Sequence, residues 1–363
     1  MRVTYDDQIF VSQRRGGISR YFSELIDQFS TREDFGVEPL LDFRFTANEH
    51  LLGVPGTGVR SSPLPARLDK ARLLRQVNRY TSRRRPAEIL HHTYYMRDAL
   101  SRSTPRRVCT VYDMIPELFP ENFPQGNPHQ AKRAVVDACD AVICISDTTR
   151  RDLVRIYGPI DKPVIVTPLA VGADFHLASR PPPPRPQVRP YVLFVGQRGT
   201  YKNFTVLARA FRDIAHEFPR LDLLCVGGGP FTADEAAGLG ELLVSGRVRQ
   251  THVPDAALPN IYRDARCFVF PSRYEGFGLP ALEAMAAGCP VIVADNDCLA
   301  EVVADAAVRF DADDFEALAE LLRVAADDGP WSTALREKGR SRARAFTWEA
   351  TALATAEVYR RVL

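Results

Sequence analysis

Between Phe270 and Ile292 two glutamates, Glu275 and Glu283, are separated by seven residues. Pro280 suits the first turn of a helix, where its missing N–H costs no bond, and Gly288 with Pro290 closes that helix. Glu275 is therefore expected in a glycine-bearing loop beside Gly276 and Gly278, and Glu283 about one turn into the helix. Carboxylates accept from hydroxyls, while loop amides and a helix amino terminus attract anions. A ligand offering hydroxyls and phosphate together, a nucleotide sugar, fits such a pair. The competing reading makes Glu283 a helix-dipole residue and Glu275 an incidental loop charge.

Three glycine turns sit where a strand would hand over to a helix: Gly16-Gly17, Gly196 to Asn203, and Gly227-Gly228-Gly229. Glycine lets backbone N–H groups approach an anion, and Arg198 and Lys202 can add formal charge to the second turn. Each turn has an equally simple packing explanation, and both cations would serve as solvated surface residues. None reads Gly-x-Gly-x-x-Gly or Walker A, which argues against an NAD-dependent oxidoreductase.

The elements that must position these residues follow from hydrophobic patterning. Unalternating apolar runs at Ile89–His91, Arg107–Tyr112, Ala141–Ile145 and Val164–Thr167 form one set, after a first strand at the amino terminus. A second set runs Tyr191–Val195, Leu221–Val226, Val248–Val253, Cys267–Phe270 and Pro290–Ala294. Such runs suit strands buried on both faces of a parallel sheet. Helical stretches lie between them, at Ile18–Phe29, Phe204–Glu217 and Pro280–Ala287. The pattern predicts two doubly wound α/β domains. Their boundaries are expected at 1–175 and 191–345, with a proline-rich linker over 176–190 around Ser179–Pro186. A surface loop within one domain is the alternative for the proline run.

Composition narrows the class. With 45% hydrophobic and 25% charged residues, the chain of 363 is neither disordered nor a disulfide miniprotein. A net charge of +2 argues against a nucleic-acid partner. No window approaches 18 uncharged apolar residues, and the amino terminus lacks a signal-peptide core. Seven cysteines without a Cys-x-x-Cys pair support neither a zinc site nor a disulfide framework, and the chain reads as cytoplasmic.

Glu275 to Ile292, reading Glu-Gly-Phe-Gly-Leu-Pro-Ala-Leu-Glu-Ala-Met-Ala-Ala-Gly-Cys-Pro-Val-Ile, resembles the signature of family 4 retaining glycosyltransferases. Gly196 to Asn203 resembles that family's glycine-then-Arg/Lys loop, and Asp255 to Tyr262 carries its Leu-Pro-x-x-Tyr. Tyr5 to Phe22, with Gly16-Gly17-Ile18-Ser19-Arg20-Tyr21, looks like the amino-terminal loop of a bacterial polysaccharide branch. The resemblance implies a GT-B fold, two Rossmann-like domains facing across a cleft, with residues 346–363 crossing back to the first domain. It implies transfer of a hexose, mannose or a relative, from a nucleotide-diphosphate sugar. The acceptor would be a glycan or a lipid-diphosphate-linked glycan of a cell-surface polysaccharide.

Carried over by position, Glu283 would bind the ribose and Glu275 the transferred sugar, with Phe277, Gly278 and Leu279 beside them. Arg198 and Lys202 would hold the diphosphate, approached by Gly16, Gly17, Gly196 and Gly228, and Val253 would also belong to the donor-binding residues. The family pattern implies no metal and no cofactor besides the donor. Asp113 matches the acid of a His-Asp pair, but Tyr112 stands where many members have histidine. His91 or His92 is expected to supply a cleft histidine instead. Alternatives are a GT-B nucleotide-sugar epimerase and a non-catalytic carbohydrate-binding relative.

The near-neutral total conceals a basic segment. Arg60 to Arg107 holds thirteen basic residues against three acidic ones, with apolar Leu68, Leu73, Leu74 and Val77 among them. Either this is a solvated basic helix, or it docks the enzyme on anionic lipid at the inner face of the cytoplasmic membrane.

Overall fold

In the computed structural model, which describes residues 1–64, 71–81, 85–96, 106–178 and 189–363, the unalternating runs are parallel strands. The chain divides into two units, Met1–Leu169 with Trp348–Leu363, and Ala170–Thr347. Ser179–Pro186 of the proline run, and Arg67, Lys70, Arg83 and Arg84 of the basic segment, lie outside the described residues.

In the first unit the strands are β1 (Arg2–Tyr5), β2 (Glu38–Leu41), β3 (Phe45–Thr46), β4 (Arg60–Ser61), β5 (Ile89–His92), β6 (Arg106–Val111), β7 (Ala141–Cys144) and β8 (Val164–Val166). Six make one parallel sheet in the order β2-β1-β5-β6-β7-β8, and β3 pairs with β4 alone. The sequence pattern missed β2 because Pro39 interrupts it. Proline is tolerated there because β2 is an edge strand.

The helix Trp348–Val362 belongs to this unit, and its buried face carries Ala352, Thr355, Ala356 and Tyr359. The Tyr359 hydroxyl bonds to the Tyr5 hydroxyl at 3.0 Å and to His91 Nδ1 at 2.6 Å, while Thr351 Oγ1 donates to the Pro168 carbonyl.

The second unit holds β9 (Tyr191–Val195), β10 (Asp222–Val226), β11 (Val248–Thr251), β12 (Cys267–Phe270), β13 (Val291–Ala294) and β14 (Val308–Phe310). Their order, β11-β10-β9-β12-β13-β14, is the doubly wound arrangement whose direction reverses between β9 and β12. Phe194, Phe204 and Phe211 anchor its core, each fully or almost fully buried and worth about 1.5–3 kcal/mol of burial. The helix Ala173–Ala178 packs here against Leu258–Asp264 and Leu279–Ala287. The division therefore falls at Leu169/Ala170, upstream of residue 175.

Candidate donor site

The reversal between β9 and β12 places two loops side by side at the carboxyl edge of the second sheet, where open α/β sheets bind ligands. After β12 the chain runs to Gly278, which adopts φ 97° before the helix Leu279–Ala287. That backbone angle favours glycine, and a Cβ there would also have to displace the end of the Leu299 side chain, 2.6 Å away. The helix that follows is buried from Ala281 to Ala287, and Glu283 is a carboxylate 6% exposed on it. The Tyr262 hydroxyl donates to Glu283 Oε2 at 3.3 Å. Tyr262 is the tyrosine of Leu-Pro-x-x-Tyr; it was not expected to contact the site, and that motif was its only signal in the sequence.

The loop after β9 turns at Gly196 and ends in the 3-10 turn Thr200–Lys202. The Arg273 amide donates to the Tyr201 carbonyl at 2.8 Å, joining this loop to the one after β12. Across that junction Lys202 Nζ donates to Glu275 Oε1 at 2.6 Å. The ammonium also lies 5.2 Å from the Tyr201 ring centre and 5.3 Å from that of Phe270. Lys202 and Glu275 are 17% and 10% exposed, dry enough to strengthen the pair and open enough to meet a ligand.

Arg198 departs from the diphosphate role expected of it. Its side chain is 3% exposed; Nε donates to Glu235 Oε1 at 3.0 Å, and Nη2 reaches the Gly229 and Pro230 carbonyls, each at 2.8 Å. It clasps the glycine turn after β10 onto the loop after β9. Gly228 is required by that clasp, since a Cβ there would lie 2.8 Å from both Arg198 Nη1 and the Gly196 carbonyl oxygen. Glu235, whose other oxygen accepts from the Thr232 amide, was not anticipated.

Phe277 is buried, its ring edge-on to Phe346 at 5.9 Å, and Leu279 is half-buried at the helix start. Val253 follows β11 at the sheet margin, two strands from β9. In the first unit Gly16 is extended and Gly17 opens the helix Gly17–Thr31, with Gln13 Oε1 accepting from the Ser19 amide. Asp113 follows β6, and its carboxylate accepts from the Ile115 amide at 2.9 Å.

His91 is corrected by the structure. It is fully buried, and both ring nitrogens are used, Nδ1 on Tyr359 and Nε2 on the Thr110 hydroxyl at 2.9 Å. Burial pushes its pKa down to about 3, and the ring joins the packing of Tyr5 and Phe22. His92 points to the other face of β5, as alternation requires. Its Nδ1 meets Asp6 Oδ2 at 3.0 Å at the β1–β5 junction, while its Nε2 has no hydrogen-bond partner. Tyr112 is a core aromatic, donating to the Thr93 carbonyl and packed near Tyr21 and Tyr95, with burial raising its pKa well above the usual phenol value.

Two parallel six-stranded sheets, the second carrying a cation, two carboxylates and a helix amino terminus at its carboxyl edge, are the elements of a GT-B fold. A family model described as Glycosyl transferases group 1 matches residues 177–342, and one described as Glycosyltransferase Family 4 matches 15–175. The chain belongs to glycosyltransferase family 4.

Among relatives, an O-antigen chain mannosyltransferase B of Escherichia coli is 28% identical, over 82% of this chain and 80% of its own. A D-inositol 3-phosphate glycosyltransferase of Kineococcus radiotolerans is 30% identical, over 96% and 91%. Among solved structures, WaaG, a glycosyltransferase involved in lipopolysaccharide biosynthesis, superposes with TM-score 0.71 at 17% identity over 99% of each chain. Anabaena Alr3699/HepE in complex with UDP and glucose superposes with TM-score 0.70 at 17% identity, over 99% of this chain and 100% of that one. These structures share the fold.

Proposed function

We propose that this glycosyltransferase moves a hexose, mannose in the first instance, from a nucleoside-diphosphate sugar to a glycan or lipid-linked glycan of a cell-surface polysaccharide, with retention at the anomeric carbon. The observation that carries the reading is the Lys202–Glu275 pair beside the amino terminus of the helix bearing Glu283. Lys202 and the helix amides meet the diphosphate, Glu275 accepts from the sugar hydroxyls, and Glu283 accepts from the ribose. As the bond from anomeric carbon to phosphate oxygen breaks, negative charge grows on the departing diphosphate, where a fixed cation lowers the barrier. The acceptor oxygen bonds to the anomeric carbon, and its proton passes to the departing phosphate. The positive field comes from the protein, so this reading calls on no metal or cofactor. The mannosyltransferase likeness supports the sugar.

The same reading places the enzyme on the cytoplasmic side of the inner membrane. No helix among the described residues is long and apolar enough to cross a membrane. The helix Ala71–Thr81 turns Leu73 and Tyr80 to solvent beside Arg72 and Arg79, a surface suited to anionic headgroups.

A thermal-shift series with GDP, UDP, dTDP and ADP identifies the preferred nucleotide, since stabilisation grows with ligand concentration over Kd. Transfer from the matching sugar nucleotide is then followed by NMR of the product's anomeric proton. An inverted product, or no nucleotide binding, would sink the proposal.

A further inference from the structure

A cavity of about 420 Å³ opens on the first unit, away from Asp6, His92 and Asp113. Its floor is the last part of edge strand β2 with Ile26 and Phe43, and its rim carries Arg44, Arg60 and Arg85. Those arginines come from three separate segments, after β2, at β4 and after the helix Ala71–Thr81. No carboxylate among the described residues lines the cavity.

Most other arginines described in this unit are paired, although Arg2, Arg72 and Arg79 stand exposed as well. Ion pairs engage Arg14 and Arg15 with Glu49, Arg32 with Asp34 and Glu349, Arg106 with Asp140, and Arg133 with Asp137. The guanidinium groups of Arg44, Arg60 and Arg85 are exposed and make no hydrogen bond or ion pair with the described residues; Arg44 has only the ring of Phe45 beside it, at 5.5 Å. Three like charges on one concavity repel each other and raise its potential, an arrangement that an anion relieves. Guanidinium forks match phosphate oxygens in particular.

The cavity is larger than a bare phosphate needs, and hydroxyl side chains share its wall. Thr81 donates its proton to the Val77 carbonyl, which leaves its oxygen as an acceptor; Thr57 donates to the Val54 carbonyl and accepts from the Val59 amide, and Ser30 stands at the same rim. A ligand body that donates hydroxyl protons suits that wall.

We propose that this cavity binds a phosphate ester carried on a polyhydroxyl body. In the strand order β2-β1-β5-β6 it lies three strand spacings, about 14 Å, from the end of β6 that carries Asp113. Two sources share this chemistry: a phosphorylated sugar of the acceptor, and the glycerol-phosphate headgroup of a membrane lipid. The inference stands apart from the donor assignment, because a different unit carries it.

The test uses the full chain with glucose 6-phosphate as probe and glucose as the uncharged control, read by isothermal titration. A Lys202→Ala background removes the donor-site cation, so that probe binding at the donor site does not register. The triple variant Arg44→Gln, Arg60→Gln, Arg85→Gln in that background is expected to lose affinity for glucose 6-phosphate roughly tenfold or more. All three side chains are exposed and unpaired among the described residues, so the melting temperature should hold and serve as the folding control. Co-sedimentation with phosphatidylglycerol vesicles, against phosphatidylcholine vesicles, separates the sources. Loss of pelleting together with loss of probe binding assigns the lipid headgroup; loss of probe binding with unchanged pelleting assigns a soluble sugar phosphate. Unchanged probe binding in the triple variant overturns the proposal.

Discussion

The carboxyl edges of the two sheets are built on related topologies and treat their polar residues in opposite ways. In the second unit Lys202 pairs with Glu275, and Glu283 accepts from Tyr262, around a helix amino terminus. In the first unit His91 and Tyr112 are consumed by packing, and the Asp6 carboxylate is saturated by Thr93, Gln8 and His92. One edge keeps charge available; the other spends its polar groups on rigidity. Residue type alone therefore does not mark a site.

The largest test of that contrast is Lys202→Ala. Removing a fixed cation from a developing negative charge should lower kcat by roughly 10²–10³, and leaving the nearly buried Glu275 without its partner should lower thermal stability as well. Full transfer activity in this variant would collapse the distinction between the edges.

Arg198→Ala should act chiefly on stability, because Glu235 and the turn carbonyls lose a buried donor. A loss of about 3 kcal/mol in urea unfolding of the variant is expected. A loss below about 1 kcal/mol alongside abolished transfer would return Arg198 to the diphosphate role.

His91 sharpens the contrast through pH. Its pKa falls from 6.5 unfolded to about 3 folded, so below pH 6.5 the unfolded chain binds the proton that the native state refuses. Stability should decline as pH drops through the window from 6.5 to 3, by about 1.4 kcal/mol per unit, reaching about 2 kcal/mol at pH 5. His91→Gln should flatten that part of the profile in urea titrations at successive pH values. An unchanged slope would show that the histidine titrates freely.

The smallest effect is expected from Tyr262→Phe, which removes one hydrogen bond to Glu283. About 1 kcal/mol should appear as a roughly fivefold rise in KM for the donor with kcat preserved. A change confined to kcat would move Glu283 from binding to the chemical step.

Much of the donor edge was legible because its signals are local. Gly278, Pro280 and Gly288 each answer a backbone demand of a single turn, and Glu275 and Glu283 are polar residues in otherwise buried surroundings. For Arg198 the sequence could not show the contacts to Glu235 and the turn carbonyls, because a cation beside a glycine turn looks the same whether it meets phosphate or holds the next loop's carbonyls. His91 and His92 could not be told apart without knowledge of which face of β5 the helix Trp348–Val362 covers. Tyr359 lies 268 residues away from His91, and nothing near either residue announces the contact. Strand β2 was lost because an edge position, unlike a central one, tolerates Pro39.

By itself the sequence determined the alternation of buried strands and helices, the turns that only glycine can make, and the family signature, since each depends on a few adjacent residues. The tertiary structure decided the partners. Lys202 and Glu275 are 73 residues apart and meet because β9 lies beside β12 where the sheet reverses direction. Hydrogen bonds and ion pairs act over a few ångströms, so which charge is left free for a ligand is settled only when the strands have taken their order.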